Sequence, residues 1–152
     1  DRCVFADEID IEDSMSVNVK YSRGALLSYS LIAHSPYEGY KASISGTKGR
    51  LEVAEYHSGT QAGEPAYYFN LYDRQGRKIE YTVPKAAGGH GGGDEKLRRM
   101  IFEGGIPDPL GHQAGSFAGA VSILIGIAAN KSIREGRNIR INDLLPLDKY
   151  RG

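Results

Sequence analysis

Gly88-Gly89-His90-Gly91-Gly92-Gly93-Asp94 places one imidazole and one carboxylate among glycines. A backbone without Cβ atoms can approach a ligand closely and present a single imidazole without steric competition. Its free N–H groups, standing between a strand and a helix, could also receive an anion. The spacing is no dinucleotide fingerprint, because no G-x-G-x-x-G register fits, and the Lys-Ser/Thr of a phosphate loop is missing. The same residues also read as a flexible connector with an exposed histidine. A metal reading would join His90 and Asp94 to His112 or Asp108, but no helical His pair or compact ligand triad appears, so no metal is expected. Asp108-Pro109-Leu110-Gly111-His112 spells Asp-x-x-x-His, yet Pro109 interferes with the helical geometry that would align the two side chains. It reads better as a capping segment ahead of a helix. Ser35-Pro36-Tyr37-Glu38-Gly39-Tyr40 carries two aromatics and a carboxylate that could rim a sugar pocket, or serve as ordinary core-edge tyrosines. Ser, His and Asp all occur, but without the Gly-x-Ser-x-Gly elbow of a serine hydrolase.

The elements that must position these groups follow from periodicity. From Met15 to Val83 the chain alternates with period two. Met15, Val17, Val19 and Tyr21 share a face, as do Ala25, Leu27, Tyr29, Leu31 and Ala33 after a turn at Arg23-Gly24. Tyr40, Ala42 and Ile44 repeat the pattern. Leu51 and Val53 continue it beyond the break at Gly46-Thr47-Lys48-Gly49. Tyr67, Phe69 and Leu71, then Ile79, Tyr81 and Val83, flank a turn at Asp73-Arg74-Gln75-Gly76. This predicts about six strands in an antiparallel meander, the topology that short turns favour. The opposite face carries Ser16, Asn18, Ser28, Ser30, Ser43, Leu26, Ile32, Tyr68 and Tyr72, which suits a surface covered by a partner, a sugar-stacking surface or a wet face.

After Val83 the period lengthens. Asp94 is expected to cap a helix over Glu95–Glu103, with Leu97, Ile101 and Met100 inward. A longer helix is expected over His112–Asn130, its stripe formed by Ala114, Phe117, Ala118, Val121, Leu124, Ile125 and Ala128. Ile123 and Ile127 widen that stripe, so burial around much of the circumference is expected. Its apolar stretch is shorter than the ~20 residues of a membrane span and is dotted with Gly and Ser, so a core helix is the reading. Gly136 suits the helix end, and Asn138-Ile139-Arg140-Ile141 reads as a late edge strand. The predicted class is α+β: an open, mainly antiparallel sheet with helices packed on one face.

Composition narrows the function classes. The 152 residues carry 19 basic and 19 acidic side chains, so no nucleic-acid partner is expected. One Cys makes neither an internal disulfide nor a Cys-based zinc site. Asp1-Arg2-Cys3 has no initiator Met, charged n-region or apolar h-region, so it is expected to be neither a native start nor a signal peptide. The chain reads as one domain, too short for a complete two-domain enzyme. Its 20 glycines in 152 residues, against an average near ~7%, divide among turns, helix packing and the cluster before Asp94.

Taken in order, Ser35-Pro36-Tyr37-Glu38-Gly39-Tyr40, Gly46-Thr47-Lys48-Gly49-Arg50-Leu51-Glu52, Gly89-His90-Gly91-Gly92-Gly93-Asp94 and Ala129-Asn130-Lys131-Ser132-Ile133-Arg134-Glu135-Gly136 resemble one family. The chain is similar to the C-terminal domain of the glucose–fructose oxidoreductase / inositol dehydrogenase / MocA family over nearly its whole length. That resemblance implies a two-domain oxidoreductase using NAD or NADP on a sugar, cyclitol or related polyol, with a homo-oligomer formed through the outer sheet face. It places His90 and Asp94 near the substrate pocket and Tyr37 at its rim. The family's nucleotide-binding half, its catalytic Lys and its helical Asp-x-x-x-His segment would lie outside this chain. The catalytic residues therefore stay unassigned, no cofactor is expected to bind this chain alone, and the isolated chain is expected to be inactive. The alternatives are a non-catalytic carbohydrate-binding or dimerisation module, and a domain of an NAD-dependent glycosidase from the same family. No membrane partner is expected, and the compartment stays open between cytoplasm and, given an upstream export signal, periplasm.

Overall fold

The computed structural model describes Cys3 and residues 6–150. Asp1 and Arg2, which enter the reading of the chain start, lie outside the described residues. Among the described residues, six antiparallel strands, three α-helices and two single 3-10 turns follow in an α+β arrangement with open sheets. The chain divides into two compact units, one formed by residues 1–33 with 107–152 and the other by residues 34–106.

In the first unit, β1 (Ser14–Lys20) pairs with β2 (Leu26–Ile32) as a hairpin. The register sets Met15 opposite Leu31, Val17 opposite Tyr29 and Val19 opposite Leu27, so the alternating apolar residues share one face as the period required. On the other face Ser28 Oγ donates to Asn18 Oδ1 at 2.8 Å. The turn closes through Tyr21 N–H to Ala25 O at 2.9 Å, with Gly24 at φ 91°, where a side chain would be strained.

Helix α2 (Ser116–Glu135) starts four residues later and ends five residues later than the apolar periodicity predicts. Gly136 ends it in the left-handed conformation (φ 61°), as its position in the sequence requires. The expectation of wide burial is corrected. Only Leu124 and Ala128 are buried, one turn apart, while Ile123 is 66% exposed and Ile127 48%. The expected stripe is covered only in its C-terminal part, at Val121, Leu124, Ile125 and Ala128, whereas Phe117 and Ala118 are exposed and Ala114 lies exposed ahead of the helix. At 20 residues with a mean hydropathy of 1.4 over its most apolar window, α2 is also long and apolar enough, by length and composition only, to cross a membrane. The late strand is corrected as well. Residues 138–140 form no strand, and Ile141 opens the single helical turn α3 (Ile141–Leu144). Two alternating pairs of residues give no strand without a sheet edge to pair with.

In the second unit, β3 (Gly39–Gly46), β4 (Gly49–Tyr56), β5 (Ala66–Asp73) and β6 (Lys78–Pro84) form a meander in sequence order. Pro36, without an N–H, lies in the connector that separates the two sheets. Register puts Tyr40, Ala42 and Ile44, Leu51, Val53 and Glu55, Tyr67, Phe69 and Leu71, and Ile79, Tyr81 and Val83 on one face. The apolar residues are those picked out by alternation; Glu55 is the exception. The face is well exposed, with Ile44 at 66% and Tyr81 at 50%. At the β5–β6 turn, Asp73 accepts from Gln75 N–H at 2.9 Å and Arg77 N–H at 3.0 Å, and its carboxylate meets Arg77 Nε at 2.6 Å. Desolvation would raise the Asp73 pKa, but these donors outweigh it and hold it below the usual value.

Candidate functional site

The glycine-rich segment leaves β6 and becomes a tight turn at Gly89–Gly92 before α1 (Gly93–Phe102). His90 has φ 50° and ψ 42°, and Gly91 and Gly92 follow with φ 63° and 81°, all left-handed. His90 is the only non-glycine residue with positive φ among the described residues, and a side chain in that region costs about 1–2 kcal/mol. Its ring is turned back onto α1. The Nδ1 atom lies 2.9 Å from Asp94 Oδ1 and 3.1 Å from Oδ2. A carboxylate accepts only, so Nδ1 carries the hydrogen of this contact, and in the neutral imidazole Nε2 is then the nitrogen with the lone pair. Both side chains are open to solvent, His90 at 87% and Asp94 at 53%.

Asp94 therefore does not cap α1. Gly92 holds the N-cap position without a side-chain bond, and Asp94 sits within the first turn. Its oxygens are committed to the imidazole rather than to the cap N–H groups. The inward residues of α1 also differ from expectation: Leu97 is 55% and Ile101 63% exposed, and Met100 alone of the three is partly covered. Asp94 and Glu95 put two carboxylates at the helix start, where a phosphate would have to sit. The segment follows an antiparallel strand, so neither its topology nor its charge fits a nucleotide pyrophosphate.

Gly91 lies against Tyr67. A Cβ added at Gly91 would stand 3.0 Å from the Tyr67 hydroxyl, which ties the loop to the end of the sheet. Tyr67 is part of a polar group on the otherwise apolar face. Lys85 Nζ lies 5.0 Å over the Tyr67 ring and 3.4 Å from Glu55 Oε1. Tyr40, opposite Glu55 in register, has its pKa raised by burial and then by the hydrogen bond and charge of Glu55. His57 approaches the same carboxylate at 3.9 Å. Composition and motif spacing pass over this group. One signal was present: Glu55 continues the alternation of Leu51 and Val53, and a carboxylate at the end of an apolar face requires partners.

Tyr37 stands elsewhere in the same unit. Its ring meets Tyr56 edge-on at 5.4 Å and 68°, and Gly59 approaches its Cβ so closely that an added side chain would have to displace it. The structure thus joins His90 to Asp94, but gives Tyr37 a packing contact with Tyr56 instead. Asp108 and His112 do not form a side-chain pair. The Asp108 carboxylate accepts from His112 N–H at 2.8 Å and Gln113 N–H at 2.7 Å, closing a loop ahead of α2. Those bonds, Gln113 first, hold its pKa below the usual carboxylate value. Among the described residues, no three His, Cys, Asp or Glu side chains gather closely enough to hold a metal ion.

Residues 2–141 match the family described as the oxidoreductase family, C-terminal alpha/beta domain. The chain is similar to "Putative oxidoreductase YteT" of Bacillus subtilis (strain 168), with 42% identity over 152 residues. That alignment covers 97% of this chain and 35% of the relative, so the chain spans about a third of the length of the curated relative it matches. No solved structure matches it.

Proposed function

This chain belongs to the oxidoreductase family through its C-terminal alpha/beta domain, and from that membership we propose that it forms the substrate side of a nicotinamide-dependent dehydrogenase acting on a sugar, cyclitol or similar polyol. The observation that carries this reading is the His90–Asp94 pair at 2.9 Å, presented by a glycine backbone and left open to solvent. Asp94 fixes the Nδ1–H tautomer, and Nε2 accepts a hydrogen bond from a substrate hydroxyl. Tyr37 and Tyr56 form an aromatic rim in the same unit. NAD or NADP would supply the hydride chemistry, and its binding is assigned to residues outside this chain, because the glycine loop offers a phosphate two carboxylates rather than a cradle. The contribution of this chain is to hold and orient the hydroxyl.

Two further parts of the reading concern partners. A second copy is the proposed cover for the outer sheet face, supported by the serine–asparagine ladder between β1 and β2 and by Leu26 and Ile32, 77% and 67% exposed. Equal numbers of acidic and basic side chains, 19 each, support neither nucleic acid nor an anionic membrane surface as a partner.

The test is an assay of the intact protein against a panel of polyols with NAD+ and NADP+, following nicotinamide reduction and identifying the product. An oxidised polyol, formed with kcat/KM lowered in His90→Ala, is the expected result. A released sugar with no oxidised product would assign the protein to glycoside cleavage instead. An unchanged kcat/KM in His90→Ala would remove the role given to the pair.

A further inference from the structure

The turn that presents His90 packs mostly on itself. A Cβ on Gly88 would meet Gly92, and one on Gly89 would strike the Asp94 carboxylate. One on Gly92 would stand 3.1 Å from the Ala86 methyl and 3.3 Å from the Ala87 carbonyl oxygen. Gly91 alone among these glycines faces a residue from outside the turn, the Tyr67 hydroxyl. The turn needs an outside support, because His90 stands at φ 50°, where a side chain is disfavoured. Its pair with Asp94 is open to water on both sides, and so solvated a pair does not offset that cost.

Tyr67 is itself held by the sheet. On β5 it lies opposite Val83 of β6, and Lys85 follows two residues later on the same face. Lys85 N–H donates to Pro65 O at 2.9 Å, which carries the strand pairing past Pro84 to the residue where the sheet ends. A diagonal neighbour at that spacing is within reach of an aromatic ring, and Lys85 Nζ lies 5.0 Å over the Tyr67 centroid. Glu55 Oε1 fixes the same ammonium at 3.4 Å, from a side chain that is 13% exposed. A cation, a carboxylate and a ring partly withdrawn from water attract one another more firmly than the solvated pair on the turn. The sheet is thus the rigid partner, and the His90 turn is the segment it supports.

We infer that Tyr67, steadied by Lys85 and Glu55, is a positioning residue for His90. Its hydroxyl backs Gly91, and that contact keeps the neighbouring imidazole in the conformation that turns Nδ1 onto Asp94. Tyr67 acts through His90 and not on the substrate. The inference rests on the hydroxyl-accepting role proposed for His90, and adds that the sheet sets the aim of its ring.

Two readouts on the intact protein test it. Histidine-selective 15N labelling reports the imidazole tautomer, with the His90 signals assigned by their loss in His90→Ala. At a pH where the ring is neutral, the wild-type protein is expected to show the Nδ1–H form at His90. Tyr67→Phe and Lys85→Met are each expected to move it toward the tautomer mixture of a solvated histidine. Lys85→Arg, which keeps a cation on the ring, should restore the wild-type signals. In the polyol assay, kcat/KM should fall about three- to tenfold in Tyr67→Phe and in Lys85→Met. Adding Tyr67→Phe to His90→Ala should lower it no further than His90→Ala alone. Losses that multiply in that double variant would overturn the inference, because Tyr67 would then act apart from His90. Unchanged His90 nitrogen signals in both Tyr67→Phe and Lys85→Met would overturn it as well. If the wild-type protein oxidises no polyol, the role of His90 fails, and the nitrogen signals still decide whether Tyr67 sets its conformation.

Discussion

Replacing His90 separates its chemical role from its backbone cost. With φ 50° and ψ 42°, His90 sits where an L side chain costs about 1–2 kcal/mol and glycine costs nothing. Glycine gives back roughly 0.5–1 kcal/mol through the extra freedom of the unfolded chain. The bond to Asp94 contributes little to stability, about 0–1 kcal/mol at most, since its partners are 87% and 53% exposed and screened by water. Both His90→Ala and His90→Gly lose that bond, so their difference isolates the backbone. His90→Gly should be the more stable of the two by about 0.5–1 kcal/mol, a urea midpoint higher by roughly 0.3–0.5 M. Both should lose kcat/KM on the polyol equally, by about 10–100-fold, the value of one hydrogen bond to a substrate hydroxyl. Urea unfolding followed by circular dichroism, with kinetics on the same samples, measures both quantities. Equal midpoints for the two variants would refute the strain. Activity that fell in one variant and not the other would refute the hydroxyl-orienting role.

Three other outcomes are expected. Gly91→Ala, at φ 63° and with its new Cβ 3.0 Å from the Tyr67 hydroxyl, should destabilise by about 1–2 kcal/mol; adding Tyr67→Phe should recover part of that loss in a double-mutant cycle by chemical denaturation. Because hydrogen bonds hold the folded Asp108 pKa below its unfolded value, its stabilisation is present above the ordinary carboxylate value and fades as pH falls through the folded one. Thermal melts of Asp108→Ala should accordingly lie below wild type at neutral pH and converge with it in acid, whereas a gap independent of pH would contradict the assignment. In α2, Leu124→Ala should cost about 2–3 kcal/mol and Ile123→Ala under ~0.5 kcal/mol in the isolated chain, because Leu124 is 8% and Ile123 66% exposed; denaturant midpoints check both. A much larger cost for Ile123→Ala in the intact protein would reveal a surface that covers it there.

What the sequence made legible followed from repetition. Period two over many residues fixed the faces of all six strands, and the cross-strand pairs Leu51↔Leu71 and Val53↔Phe69 join the residues that alternation had grouped. Single residues with a rigid preference were also readable, such as Gly136 at the end of α2 and the turn glycines Gly24 and Gly76. Boundaries set by competition were not. Asp94 has the right type for a cap, but His90 four residues earlier takes its oxygens, and no local pattern records that choice. Asn138–Ile141 alternates without a strand to join, so the pattern alone misleads.

The site divided in the same way. His90 and Asp94 were visible because glycine isolates them. Glu55, Lys85 and Tyr67 were not, because 30 positions separate Glu55 from Lys85 in the chain and only the register of β3 to β6 brings the group together. Tyr37 was visible as an aromatic near a turn, but its contact with Tyr56 follows from the β3–β4 register, which pairs Gly39 with Tyr56 and which no motif around Tyr37 records.

The most direct measurement is a crystal structure of the intact protein with a polyol substrate bound. The expected result is a substrate hydroxyl within hydrogen-bonding distance of His90 Nε2, with Asp94 still on Nδ1. A polyol bound productively with no contact to His90 would contradict the central claim.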